Sequence, residues 1–418
     1  MHKAQVFTLV RRGLIVLLLC SAVLLTMQTD FFQSGENPAH AAAPDSGGAR
    51  TENVLFTVHP RAVMVCTADG GRAASAYNGD DTEQAFSHFA AFLGEALGSS
   101  GTPEEITERG FRAAIARGGV FLDLGCPYPL DVLSAWLGTG GGGAAALDAM
   151  LVFLGTEADG GDAVCLYLCS GDEVFYRCTT AAQTETLTAR MGDFLQGSAA
   201  AFAFERGLSV SGTSAYTVIL ETLPEIQRVS AASGYEAADA VSLLGAVGMN
   251  SYLAASYFES DGTLVCVENE KTLRVAPDGV VQYRAEAGEP VADDLLSAVN
   301  YACTVATDAL GVSAGNADLM FAGIEASDDV DEEYTVYLDY CINGIPVRMA
   351  EGHAGSVTFS GGAVTRLQLV VRRYTLLTET EPVLPAQYAA AIAAETGVAP
   401  VLDYMDSGDG VSCVWMYG

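Results

Sequence analysis

The first 32 residues constrain this chain more than any other stretch. Met1–Arg12 carries Lys3, Arg11 and Arg12 and no acid, and Gly13–Met27 then runs 15 residues without a charged side chain. That is short of the ~20 residues a helix needs to cross a bilayer. Counting on to Phe32 supplies 20, with Phe31 and Phe32 at interfacial depth and Arg12 able to snorkel. Residues 13–32 are therefore expected to form one transmembrane helix. The basic residues 1–12 stay in the cytoplasm and everything after lies outside, a single-pass topology in the cell membrane. Ala39-His40-Ala41 has the small-x-small form of a signal-peptide cleavage site, but it lies more than ten residues past the apolar run. An uncleaved anchor is the expected outcome. Ser21, Ala22 and Thr26 interrupt a bulky Leu/Val/Ile segment and form the candidate transmembrane contact, because small and hydroxylated residues let helix backbones approach.

The remainder is strongly acidic. After Thr29 the chain holds 17 basic residues and all 52 acidic ones, a net charge of −35. Such a surface repels phosphate backbones, so nucleic acid is not an expected partner. Half of the residues are hydrophobic, enough for sizeable cores. The run Asp328-Asp329-Val330-Asp331-Glu332-Glu333 lacks the glycine and ligand spacing of an EF-hand and reads as a solvated loop.

Nine cysteines fall outside the apolar run. Cys165 and Cys169 are expected on one face of a strand with Cys178 on the next, where one cross-strand disulfide is conceivable and buried free thiols are the simpler reading. No CxxC pair occurs, and His2, His40, His59, His88 and His353 have no ligand spacing, so no metal or cofactor is expected.

Residues 33–52, rich in Ala, Gly, Pro and Ser, read as a linker. Residues 53–212 are expected to form a first α+β domain, with strands at 54–58 and 62–65 and an amphipathic helix at 81–97. A second helix is expected from a capping box at Thr102-Pro103-Glu104-Glu105. The glycine-rich stretch 138–143 follows a helix and has no lysine nearby, so it reads as a flexible connection rather than a phosphate cradle. Residues 213–235 read as an extended bridge. Residues 236–418 form the second expected α+β domain, where alternating apolar runs are joined by Asp261-Gly262, Asp278-Gly279, Asn343-Gly344 and Gly361-Gly362 turns. The expected fold class is α+β: one transmembrane helix, then a two-part ectodomain of antiparallel sheets with packed helices.

Catalytic motifs are scarce. Gly311-Val312-Ser313-Ala314-Gly315 matches the nucleophile-elbow pattern, which requires a strand before the serine and a helix after it. Here a helix is expected to end at Gly311 and a strand to follow near Leu319. No catalytic residue is assigned, and the chain is expected not to be an enzyme.

Laid out this way, the chain resembles the YycH/YycI family of Firmicutes, membrane-anchored regulators of a cell-wall two-component system. The resemblance is carried by Gly248-Met249-Asn250, by Tyr257–Thr263, by Thr272–Val275 with Asp278-Gly279, and by Tyr340–Val347. The strands Val357–Phe359 and Val364–Arg372 fit as well. It implies a sensor histidine kinase as partner, contacted largely through transmembrane helices, and a YycI-like partner outside, with no catalytic residues and no cofactor. An extracytoplasmic binding or structural module of the cell envelope is the alternative, since fold does not fix function.

Overall fold

The computed structural model describes residues 58–157, 161–194, 197–207, 212–233, 240–286, 288–310, 314–327, 333–350, 352–396 and 400–417. The expected membrane helix with Ser21, Ala22 and Thr26, the linker and most of the strand expected at 54–58 lie outside these residues, as do Gly311, Ser313 and most of the acidic run. Among the described residues no helix is long and apolar enough to cross a membrane.

The architecture is α+β, built on two large and mainly antiparallel sheets. The first uses β1 (Ala62–Cys66), β2 (Arg72–Ala76), β3 (Glu104–Ile106), β4 (Gly119–Pro129), β5 (Asp148–Thr156), β6 (Ala163–Cys169), β7 (Phe175–Gln183), β8 (Ser198–Phe202) and β9 (Val218–Leu220). Their order is β3-β7-β6-β5-β4-β1-β2-β8-β9. The apolar runs in β4, β5 and β6 are almost continuous because both sheet faces are buried there. Helices α1 (Gly79–Gly98), α2 (Glu108–Ala116), α3 (Leu130–Trp136) and α4 (Thr184–Asp193) supply the cover. Phe111 of α2 and Tyr216 pack on the face that carries Phe121, Phe153 and Tyr167.

The second sheet uses β11 (Ala255–Phe258), β12 (Leu264–Glu268), β13 (Lys271–Val275), β14 (Val280–Ala285), β15 (Asp318–Ala326), β16 (Glu333–Ile342), β17 (Ile345–Met349), β18 (Gly355–Ser360), β19 (Ala363–Val370), β21 (Val401–Asp406) and β22 (Val411–Met416). Between the sheets, β10 (Gln227–Ser233) pairs with β20 (Arg372–Thr380). The order of the second sheet is β11-β12-β13-β14-β19-β18-β16-β17-β21-β22, with β15 on β16 and one parallel pair, β17 with β21. The remaining helices are α5 (Ala240–Ala246), α6 (Leu295–Leu310) and α7 (Ala386–Thr396).

Burial alternates along β13, β14 and β18, which is how a sheet with one wet face reads. The dry face, with Val357 and Phe359, packs on α6, whose stripe Ala298, Val299, Ala302, Val305, Ala306, Ala309 and Leu310 follows the helical period. Each fully buried Val or Leu there stabilises by about 1.5–3 kcal/mol.

The turns are of the expected kind. Asn343 and Gly344 have φ of 50° and 75°, and Gly361 and Gly362 have 55° and 78°, the doubly left-handed pattern of a type I′ hairpin.

From residue 58 onward the chain forms one unit whose apolar core runs through both sheets without a break. The segment expected as a bridge is part of that unit. Its β9 closes the first sheet and its β10 pairs with β20.

Three local expectations are corrected. The helix expected from Thr102 begins at Glu108, because the Thr107 hydroxyl accepts from the Gly110 amide at 3.2 Å while residues 104–106 join β7 as a strand. The strand expected over Val364–Arg372 is interrupted at Val371, where β19 ends and β20 begins, and the two strands pair in different sheets. The glycine stretch 138–143 is a packed loop rather than a flexible one. The Gly143 amide donates to the Ser100 carbonyl at 2.7 Å, and a Cβ on Gly142 would lie 2.2 Å from the Leu97 carbonyl oxygen.

Candidate interaction surface

The second sheet ends at β11, a four-residue strand with every residue exposed. Among the described residues it pairs only with β12, which leaves one row of its backbone donors and acceptors without a partner strand there. Tyr257 is 52% exposed and Phe258 67%, on opposite faces of this edge, and the preceding turn offers Tyr252 at 93% and Leu253 at 70%. Among the described residues nothing covers these four large apolar side chains, and their clustering at one edge makes it the candidate interaction surface.

The edge is held rigidly. Met249 is buried, the Asn250 amide donates to Glu268 Oε2 at 2.7 Å, and Lys271 Nζ donates to the Gly248 carbonyl at 3.0 Å. Asn250 in turn accepts from the Tyr252 amide through its side chain and from Leu253 and Ala254 through its carbonyl. At the far end Arg274 grips Glu259 with both terminal nitrogens, at 2.9 and 2.5 Å. Asp261 accepts from the Thr263 amide at 2.9 Å, a bond that holds its carboxyl below the ordinary range. Hydrogen bonds from the Gly248-Met249-Asn250 and Glu259–Thr263 segments therefore secure the chain at both ends of β11.

The junction of the two sheets is polar as well as aromatic. Phe321 of β15 packs against Tyr128 and Trp136, and the Trp136 indole donates to Asn300 Oδ1 at 2.8 Å. Burial would lower the Arg61 guanidinium, but Asp123 and Asp403 outweigh it and hold it charged. Burial pushes the Asp123 carboxyl up, against Arg61 and the Gly125 amide. Asp403 is fully buried and accepts from Arg348 Nε at 2.8 Å. Sequence reasoning missed this cluster, because isolated Arg and Asp residues carry no local signal of burial.

The other residues singled out in the sequence are dispersed. His59 pairs with Glu83 at 3.1 Å, and His88 bonds the Arg190 carbonyl at 2.8 Å. His353 bonds Asp339 at 3.0 Å and stacks on Tyr337, and the Asp339 bond raises it above the usual imidazole range. Around the serine motif α6 ends at Leu310 and β15 begins at Asp318, the reverse of the order an elbow needs. Among the described residues no group of His, Cys, Asp and Glu is placed to hold a metal ion. The nine cysteines among the described residues are all free thiols. Cys178 stands opposite Leu166, one step from Cys165, so it faces away from Cys165 and Cys169 and cannot pair with them. Burial pushes Cys66, Cys169, Cys303, Cys341 and Cys413 up to about 12, which leaves them unreactive.

No protein-family model and no curated protein matches the sequence. Among solved structures, the crystal structure of YycH from Bacillus subtilis superposes with a TM-score of 0.55 and 12% identity, over 87% of this chain and 94% of that one. At that identity the likeness concerns the backbone, and it extends over both sheets: the chain has a YycH-like fold.

Proposed function

We propose that this chain is a membrane-anchored accessory regulator that modulates a sensor histidine kinase of a two-component system linked to cell-wall homeostasis. The observation that carries the reading is the YycH-like fold, which spans most of both chains. The apolar N-terminal run supports an anchor that leaves the described residues extracytoplasmic. In this reading the helix 13–32 meets the kinase through Ser21, Ala22 and Thr26. The β11 edge accepts a strand from a YycI-like partner: strand addition draws affinity from main-chain hydrogen bonds, and Tyr257 and Phe258 add apolar anchors. Confinement to one membrane raises effective concentration, so weak contacts suffice, and biasing a kinase between two states takes only ~1–3 kcal/mol of coupling.

The test is photocrosslinking of the full chain in its native membrane, from a reactive residue at position 22 and another at position 258. Identification of a histidine kinase from the first and a YycI-like protein from the second is the expected result. Recovery of neither, from membranes that hold both proteins, would sink the regulatory reading.

A further inference from the structure

The wet face of the second sheet carries an anomaly of charge. Arg284 on β14 stands directly opposite Arg366 on β19. Both are exposed, and neither makes an ion pair or hydrogen bond with a described residue. Like charges directly opposite on neighbouring strands destabilise a sheet, and this chain has 52 acidic residues against 20 basic ones with which to neutralise them. Six other arginines, Arg72, Arg112, Arg177, Arg228, Arg274 and Arg372, each hold a carboxylate, and those without one, such as Arg109 and Arg373, do not face a second arginine across a strand pair. Beside the unmatched pair lies a shallow depression of about 280 Å³, lined by Thr272, Arg274, Gln282 and Arg284. Gln368 stands opposite Gln282, so the ground around the two guanidiniums is rich in neutral hydrogen-bonding groups.

We propose that Arg284 and Arg366 bind the phosphoryl group of a small ligand, whose neutral portion rests in the depression against Thr272 and Gln282. The charge count selects the ligand. One guanidinium saturates a carboxylate through a bidentate fork, as Arg274 does with Glu259. A phosphate monoester carries a charge of roughly −1.5 to −2 and three acceptor oxygens, and so matches two free guanidiniums. The net charge of −32 selects against a polyanion. Repulsion by the whole chain grows with ligand charge, whereas the attraction of two cations on neighbouring strands acts on a compact ligand within the ~8 Å screening length at physiological salt. The site does not rest on the regulatory reading: its two guanidiniums lie on β14 and β19, and of the residues lining the depression only Arg274 also braces the β11 edge, through Glu259.

The experiment measures the unfolding midpoint of the full chain in detergent with inorganic phosphate, glycerol 3-phosphate, a soluble short-chain phosphatidic acid, acetate and chloride, all at matched ionic strength. A ligand that binds only the folded state raises the midpoint with its concentration. The phosphoryl compounds are expected to raise it while acetate and chloride do not, and the strongest of the three identifies the source as free phosphate, a soluble ester or a lipid headgroup. Arg284→Gln and Arg366→Gln should each weaken the phosphoryl response at least about tenfold, the scale of one charge-assisted contact. Arg366→Lys should keep part of it. In phosphate-free buffer neither Gln variant should be less stable than the parent, because each relieves the repulsion. Equal responses to phosphate and chloride, an undiminished response in both Gln variants, or a lower midpoint for either one without phosphate would each overturn the proposal.

Discussion

Arg372 holds Asp406 through two guanidinium nitrogens, at 2.9 and 2.8 Å, where β20 departs from the second sheet beside the end of β21. The same carboxylate accepts from the Tyr374 hydroxyl and the Gly408 amide, each at 2.8 Å. The Arg372 amide donates to the Tyr340 hydroxyl at 3.2 Å, and that hydroxyl donates to the Val370 carbonyl. The network therefore sits on the kink at which β19 becomes β20. Asp406 is buried and Arg372 nearly so, and a buried charge stripped of its partner costs about 3–5 kcal/mol. Arg372→Met is expected to destabilise by that amount in chemical denaturation, more than any ion-pair removal at the exposed Arg228–Glu379 pair.

Acid should weaken the same point. Burial alone would raise the Asp406 carboxyl, but Arg372, the Gly408 amide and Tyr374 outweigh it and hold it below the ordinary carboxylate range. A carboxyl lower in the folded state contributes stability above its unfolded value, near ~3.9, and loses it as the pH falls through the folded value. Unfolding midpoints should therefore drop below about pH 4. Asp406→Asn should flatten that acid limb. An unchanged limb in this variant would assign acid sensitivity elsewhere.

Local signals were legible and long-range ones were not. The Asp-Gly and Asn-Gly hairpins, α6 and the alternating strands follow from periods of two and 3.6 residues, which neighbouring residues alone determine. The wet face of the second sheet was already written in that alternation. The exposed edge at β11 was not, because Tyr257 and Phe258 have the composition of a core strand and only the sheet order leaves them outside. The register that sets Arg284 against Arg366, or turns Cys178 away from Cys165, depends on pairing between distant segments and has no signature within either one.

The glycine loop gives the sharpest case of misleading composition. Gly142 is small because the end of α1 touches it: a Cβ would meet the Leu97 carbonyl oxygen at 2.2 Å and Ser100 Oγ at 2.3 Å. Gly142→Ala should destabilise by about 1–3 kcal/mol, the usual cost of overpacking. Gly140→Ala, which meets open space, should be nearly neutral. Equal effects in thermal unfolding would return the loop to the status of a spacer.

At the sheet edge, Phe258→Asp removes an anchor that is 67% exposed. Stability should stay within about 0.5 kcal/mol of the parent, as for most surface changes. Partner capture should fall by about 2 kcal/mol or more, roughly thirtyfold, if Phe258 is a central contact. Copurification from membranes reads the effect. Wild-type capture by this variant and by Ser256→Pro, which removes a backbone N–H that faces away from β12, would exclude β11 as the docking strand.

The last prediction concerns the membrane segment, which in the proposed function carries part of the signal. Ser21, Ala22 and Thr26 lie within about one and a half turns of one another in an otherwise bulky run. Small residues allow close helix approach, and hydroxyls bonding across the contact are worth ~0.6 kcal/mol on average in membranes. Ala22→Leu with Thr26→Leu should preserve insertion, since leucine is favourable at the helix centre, yet weaken association with the kinase. Copurification and reporter output of the two-component system are compared at matched membrane levels. Reduced kinase capture with normal capture of the extracytoplasmic partner is the expected pattern, because in the proposed function the helix and the β11 edge contact different proteins. A scrambled apolar helix that supports full output would show that the segment only tethers, leaving the regulatory contacts to the acidic extracytoplasmic part.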